Sequence, residues 1–326
     1  MPNFECRNGI FPARSVSLPA GAVATCLLLF AGPGVRASES PATAAASILT
    51  VNIVDAETGG ALPARCSVTG QSGIHCYPPP GKSFYHSVEE GYFYCSGHYS
   101  VIVPEGKITI RTGYGFEYAA EVRTVDVAAD TALVVSLDRI CDMRAAGWYP
   151  GDPHTHLNHG YGYYTLDPCE ALFMATAEDL AMINCLDNEY YFTGRPDPCS
   201  SPGCVVYMTE EKRSGVYGHY GLLGLNELLQ PASENWGAIL SDFADAAHSQ
   251  EGAIVIAAHP VSSEDFGQII DWPGSGIARE LPVDMIRGKV DAVEIMSYSN
   301  CGWGVQTGPW YDLLNCGFRI PCCGGT

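Results

Sequence analysis

Beyond residue 47 the chain alternates β-branched and polar positions in short runs, punctuated by glycine, proline and aspartate. Ile48 to Val54 (ILTVNIV) opens the series, and Asp55-Ala-Glu-Thr-Gly-Gly60 ends that run as a turn. Further runs follow at Pro63 to Thr69, Tyr92 to Tyr94, Tyr99 to Val103, Lys107 to Thr112, Ala119 to Val127 and Ala132 to Leu137. Pro104-Glu-Gly106 reads as a hairpin turn, because proline presets one turn dihedral and glycine tolerates the other. Short strands at this spacing predict an all-β sandwich over residues 48–139.

From Gly147 the rhythm changes. Asp167 as N-cap, Pro168 at the first helical position and Glu170 behind it predict a helix start. Ala171, Leu172, Ala175 and Leu180 supply that helix with an apolar stripe. Ala181 to Leu186, Val205 to Met208, a segment opening at Tyr217-Gly-His-Tyr220, Ala253 to Ala258, Val290 to Met296 and Phe318 to Cys323 read as buried strands. Together with the extended stretch around residue 152 they make seven. An amphipathic helix carrying Trp236, Ile239, Leu240 and Phe243 stands before Gly252. Strand–helix alternation predicts an α/β parallel sheet or barrel over residues 140–326.

The N-terminus adds an export signal. Arg7 and Arg14 precede the apolar run Ala20 to Ala31, and Val35-Arg36-Ala37 places small or aliphatic residues where a signal peptidase reads. The run is shorter than the about 20 residues that span a bilayer. The expectation is a signal peptide over 1–37, a linker over 38–47, and an exported protein without a stable membrane span. The full chain carries a formal charge of −19, and the part beyond Ala37 has 14 basic and 35 acidic residues, a net −21. That balance argues against nucleic acid and against an anionic membrane as partners. Twelve of the 14 cysteines lie beyond residue 37, where an oxidising compartment favours pairing. Cys199 and Cys204 flank a Pro/Gly turn and predict a local bridge. Cys66, Cys76 and Cys95, crowded with His75 and His98, read as a disulfide or buried thiols before a zinc site.

The chemistry centres on Gly151-Asp152-Pro153-His154-Thr155-His156. Side chains two apart on an extended segment share a face, so Asp152, His154 and His156 can converge on a cation. Other polar residues fall at predicted strand ends: Asp187 and Asn188, Glu210 and Glu211, His219, and His259. Each has a structural reading alone, as helix N-cap for Asp187 or Glu211 and as satisfied core histidine for His219 or His259. Their shared placement points instead to a metal site, since α/β barrels carry their sites at strand C-termini.

In order, these motifs resemble the PHP (polymerase and histidinol phosphatase) superfamily. Gly147-Trp148-Tyr149 and the preceding sandwich favour its carbaryl-hydrolase-like metallohydrolase branch. The resemblance implies a distorted (βα)7 barrel over 140–326 holding two or three divalent transition metals: zinc, manganese or iron. It implies His154 and His156 as the first ligand pair, Asp152 before them, His219 and His259 as later ligands, and Glu211 as bridging carboxylate with Glu210 as the alternative. Asp187 and His219 are open between ligand and catalytic proton shuttle. Where the family has Thr-Asp-His, this chain has Leu186-Asp187-Asn188, and asparagine is the weaker ligand. Gly325-Thr326 matches the start of a Gly-Ser/Thr-Asp-x-His motif, which leads one to expect a fragment with aspartate next and histidine two residues later. Residues 48–139 in turn resemble transthyretin-like or carboxypeptidase-regulatory-like sandwiches through Val54-Asp-Ala-Glu-Thr-Gly59, Leu62-Pro-Ala-Arg65 and Val103-Pro-Glu-Gly-Lys107.

The function these readings imply is hydrolysis of a small-molecule ester-like bond, a phosphoester, carboxylic ester or carbamate, by hydroxide generated from a metal-bound water. Tyr161, Tyr163, Tyr164 and the loop from Ser262 to Gly276 are expected near the cleft. The alternative is a non-catalytic exported binding protein, which Asn188 and the sandwich both suit.

Overall fold

The computed structural model describes residues 46–79, 84–85, 91–159, 164–186, 192–230, 238–260, 279–296 and 307–325. Ala44–Thr326 form one compact unit. The expected signal peptide, and the linker as far as residue 45, lie outside the described residues.

Strand β1 (Ala46–Asp55) buries every second side chain, as the period-2 pattern demands. It lies between β5 (His98–Pro104), antiparallel, and β8 (Thr131–Leu137), parallel. A second sheet runs in the order β3 (Phe84–Tyr85), β4 (Tyr92–Cys95), β2 (Ala64–Gly70), β6 (Gly106–Gly113) and β7 (Glu121–Val127). Leu49, Val51 and Ile53 from the first sheet share one apolar core with Val68, Phe93, Ile108 and Ile110 from the second. Phe93 meets Tyr99 edge to face, with centroids 4.9 Å apart. The turn after β1 closes on Asp55, whose Oδ1 accepts from the N–H groups of Glu57 and Thr58 and whose Oδ2 accepts from Tyr118.

After a short 3-10 turn (Arg144–Ala146), β9 (Gly151–Thr155), β12 (Met182–Cys185) and β13 (Val205–Met208) form a parallel sheet with β12 central. A two-stranded ladder of β10 (Asn158–His159) and β11 (Tyr164–Thr165) leads into α1 (Pro168–Ala177). That helix starts with a full capping box between Asp167 and Glu170. Its far end is tied down at Asp179, which accepts from Tyr114 at 3.0 Å and from Arg144 at 3.1 Å.

A five-stranded sheet follows: β14 (Glu210–Ser214), β15 (Gly218–Leu223), β16 (Ile254–Ala258), β17 (Ala292–Met296) and β18 (Cys322–Gly324). Helices α2 (Leu240–His248), α3 (Leu281–Ile286) and α4 (Gly308–Asn315) intervene in sequence. Phe243, Ala244 and Ala247 of α2 pack with Tyr220, Leu222, Val255 and Ala257 of the sheet.

The (βα)7 barrel expected over residues 140–326 is not what forms. The described strands make separate three- and five-stranded sheets, and β14–β15 and β15–β16 pair antiparallel. A (βα)7 barrel requires parallel neighbours joined by helical crossovers. Here β13 runs almost directly into β14, and β14 turns into β15 as a hairpin. The reason lies in the segment Glu210-Glu-Lys-Arg-Ser214, whose charge reads as a strand-ending loop. It folds as a strand because Glu210 and Lys212 pair inside the protein, Nζ to Oε2 2.8 Å, at 0% and 4% side-chain exposure. Among the described residues, no helix is long and apolar enough to cross a membrane.

Candidate metal centre

The site is assembled from the ends and edges of four strands. On β14 the side chains alternate: Glu210 and Lys212 turn into the apolar layer, where Leu229 N–H donates to Glu210 and Lys212 donates to the Leu229 carbonyl. Glu211 and Arg213 therefore take the other face, opposite Gly221 and His219 of β15. This parity decides between the two candidate glutamates. Glu210 is bound up with Lys212, and Glu211 faces the histidines.

Four imidazoles surround the Glu211 carboxylate. Its Oε1 lies 3.0 Å from His219 Nδ1, 3.4 Å from His259 Nε2 and 4.0 Å from His154 Nε2. Its Oε2 lies 3.5 Å from His156 Nε2 and 2.6 Å from Arg213 Nε. His154 Nε2 and His156 Nε2 face each other at 3.2 Å. His154, Glu211 and His259 each offer a ligand atom within 4.8 Å of the others. His154, His156 and His259 are buried, and the Glu211 side chain is 2% exposed.

Two of these atoms are orphans. Glu211 Oε1 and His219 Nδ1 are buried without a hydrogen-bond partner, although only 3.0 Å separates them. Proximity without hydrogen-bond alignment is what results when both atoms aim at a common point. Buried polar atoms are almost always satisfied, and an orphaned donor–acceptor pair beside two further imidazoles is an arrangement that a cation would fit. Three or four imidazoles and one carboxylate suit zinc, manganese or iron.

The charges agree with that chemistry at Glu211 and His219 and oppose it at His154. Burial alone would raise the Glu211 carboxyl, but His219, His259 and the Arg213 guanidinium hold it well below the usual carboxylate range. Burial pushes His219 below the ordinary imidazole value, with Glu211 partly offsetting it. His154 is also opposed by burial, yet Glu294, Glu211 and Asp152 carry it above the ordinary value. A neutral His219 next to an ionised Glu211 is the ligand state a cation requires.

Glu294 on β17 was not anticipated from sequence. Its side chain is fully buried, Oε1 accepts from His154 Nδ1 at 3.1 Å, and Oε2 accepts from His259 N–H at 2.6 Å. The first bond puts the His154 proton on Nδ1 and turns the Nε2 lone pair toward Glu211. The second holds His259 at φ 29°, a left-handed conformation rare for a side chain of this size. The one available signal was an acid inside the apolar run Val290-Asp-Ala-Val-Glu-Ile-Met296. Gly325 is confined by the same group, because a β-carbon there would collide with Glu294 and His154.

Asp152 does not join the compact triad; its Oδ1 accepts from the His154 backbone N–H at 3.0 Å within β9, just ahead of the two histidines. Asp187 and Asn188, like Tyr161, Tyr163 and the Ser262 to Gly276 loop, lie outside the described residues. Cys199 and Cys204, the expected local bridge, are not bonded to each other in this structure, where the turn closes through backbone pairing of Ser201 with Cys204. A two-residue backbone ladder already satisfies that turn. His75 is engaged by Thr69 at 3.2 Å and, among the described residues, is in no metal-type cluster.

No family model and no curated protein matches the chain. Several solved structures are similar to a minor part of it, three of which follow. The TIE protein of Bacillus anthracis matches at 15% identity, covering 29% of this chain and 17% of that one, with a TM-score of 0.21. The minor pilin GBS52 of Streptococcus agalactiae matches at 12% identity, covering 30% and 46%, with a TM-score of 0.23. A DUF3823 family protein from Parabacteroides merdae matches at 16% identity, covering 29% and 46%, with a TM-score of 0.18. The chain thus spans under half the length of each, and likenesses at these scores assign it neither a fold nor an activity.

Proposed function

We propose that this protein is an exported metal-dependent hydrolase acting on an ester-like bond, with the ligand order of the PHP superfamily. The observation that carries the reading is the single buried carboxylate of Glu211 ringed by His154, His156, His219 and His259, with an orphaned oxygen at its centre. His154, His259 and Glu211 are the residues that would hold a first cation, with His156 and His219 available for a second. A bound divalent metal supplies Lewis acidity toward a carbonyl or phosphoryl oxygen and acidifies water. The chain's own residues supply the rest. Glu294 fixes the His154 ring, Arg213 places positive charge beside the carboxylate, and partly exposed His219 stands where a proton can be relayed to solvent. Phosphoesters, carboxylic esters and carbamates all fit this machinery.

The test combines metal counting with turnover. The purified chain is stripped with chelator, reloaded with zinc, manganese or iron, and assayed on aryl phosphate, aryl acetate and aryl carbamate. Binding of one or more metals per chain, with binding and turnover both lost in His154→Ala and His259→Ala, supports the reading. Tight metal binding without turnover on any substrate would leave the non-catalytic alternative standing. Failure to bind metal would end both versions of the site.

A further inference from the structure

The sandwich core holds a second chemical feature, remote in sequence from the metal-type cluster. Cys66 on β2 and Cys95 on β4 are both fully buried, and their Sγ atoms lie 3.9 Å apart. The two strands are antiparallel neighbours, with Cys66 opposite Phe93 and Ala64 opposite Cys95. The cysteines are therefore diagonal neighbours on one face of the sheet, the face that packs into the core. Cys76, the third cysteine of this region, points its sulfur toward the Ile74 carbonyl at 3.9 Å.

We propose that Cys66 and Cys95 form a cross-strand disulfide in the mature protein, stapling β4 to the central strand of its sheet. The inference rests on the export reading for its oxidising compartment, and on this geometry for its partners. Bond formation requires the sulfurs to close from 3.9 Å to about 2.05 Å. Cys95 is the last residue of β4 and is followed by exposed Ser96, so the closure falls on the end of the strand, while Gly97 beyond it is held against Ala61 and Leu62. Each thiol gives up its hydrogen, the S–S bond forms, and two electrons pass to a disulfide-class oxidant. That oxidant is cleaved in turn to two thiols. Since both sulfurs are inaccessible once the sheet is closed, exchange takes place before β4 docks. The staple spans a loop long enough to restrain the unfolded chain appreciably.

The full chain is recovered by export from cells and, separately, refolded in a glutathione redox buffer, then alkylated under denaturing, non-reducing conditions and digested with trypsin. Cleavage after Arg65, Lys82 and Lys107 places Cys66 and Cys76 on one peptide and Cys95 on the next. The Cys76→Ser variant resolves which of the two is linked. The expected result is a reductant-sensitive link between residues 66–82 and 83–107 that persists in Cys76→Ser. Reduction should also lower Tm by roughly 5–10 °C, and this component should vanish in Cys66→Ala/Cys95→Ala. Full alkylation of Cys66 and Cys95 in the refolded chain, or a link that disappears in Cys76→Ser, overturns the pairing. A link in refolded chain with free thiols in material from cells overturns the export on which the proposal rests. Because the mapping uses the unmodified core, it decides the matter even if the double variant fails to fold.

Discussion

Replacing Glu294 by glutamine removes a charge but no volume, and it tests how the site is held. In the native arrangement the two oxygens accept separate bonds, from His154 Nδ1 at 3.1 Å and from His259 N–H at 2.6 Å, inside a fully buried environment. A carboxamide has one accepting end. With its oxygen on the His259 N–H, its NH2 faces His154 Nδ1, which accepts only by moving the ring proton to Nε2, the atom that should face a cation. Turned the other way, it meets the His259 N–H and that bond is lost. Bonds to charged groups are worth about 1.5–3 kcal/mol each, and a buried unsatisfied donor costs a similar amount. The Glu294→Gln protein should lose about 3 kcal/mol of unfolding free energy, read by urea titration without metal. Metal affinity, read by competition with a chromogenic chelator, should fall about 10–100-fold because the His154 ring is no longer aimed. The pH profile separates aiming from general damage. Glu294 helps hold His154 above the ordinary imidazole value, so protons compete with metal from a correspondingly higher pH. Without that carboxylate the competition should begin at lower pH, even as affinity in alkaline buffer drops. An unchanged affinity and an unchanged profile in a folded variant would refute the positioning role.

Two further predictions concern stability away from the ligands. Burial, with the charge of Asp284 adding to it, raises the Glu280 carboxyl to about 7. The folded state therefore keeps a proton that the unfolded chain releases near 4.5, and stability should decline as pH rises from about 4.5 to about 7. Discounted for partial solvent access, the decline should be on the order of 1–2 kcal/mol. Glu280→Gln should flatten this slope in urea titrations across that range, and an identical decline in the variant would show the assignment to be wrong. Lys212→Met leaves Glu210 buried without its 2.8 Å partner and should cost about 3–5 kcal/mol, whereas Glu210→Gln/Lys212→Met should recover most of it. A single variant unfolding at the wild-type denaturant midpoint would mean that β14 does not depend on this pair.

Local physics was legible from the chain alone wherever one residue's surroundings are set by its near neighbours. The alternating burial of β1, the turn at Asp55 and the capping box of Asp167 with Glu170 follow from period, turn chemistry and an N-cap three residues from its partner. The histidines of the site were legible too, because His154 and His156 are two apart on an extended segment and His259 ends an unmistakable buried strand. What the tertiary structure alone decided depends on residues distant in sequence. The charged segment that becomes β14 is stabilised from within because Glu210 and Lys212 both bond the backbone of Leu229, 19 and 17 residues on, and no local pattern reveals that those charges will find a buried partner there. The choice of Glu211 over Glu210 is a matter of which face each presents once β14 pairs with β15. Glu294 acquires its role from His154, 140 residues away, and Cys66 finds Cys95 rather than the closer Cys76 because strand pairing, not spacing, brings sulfur to sulfur. Pairing across such separations is selected by the burial of whole faces at once, and that quantity exists only when the chain has folded.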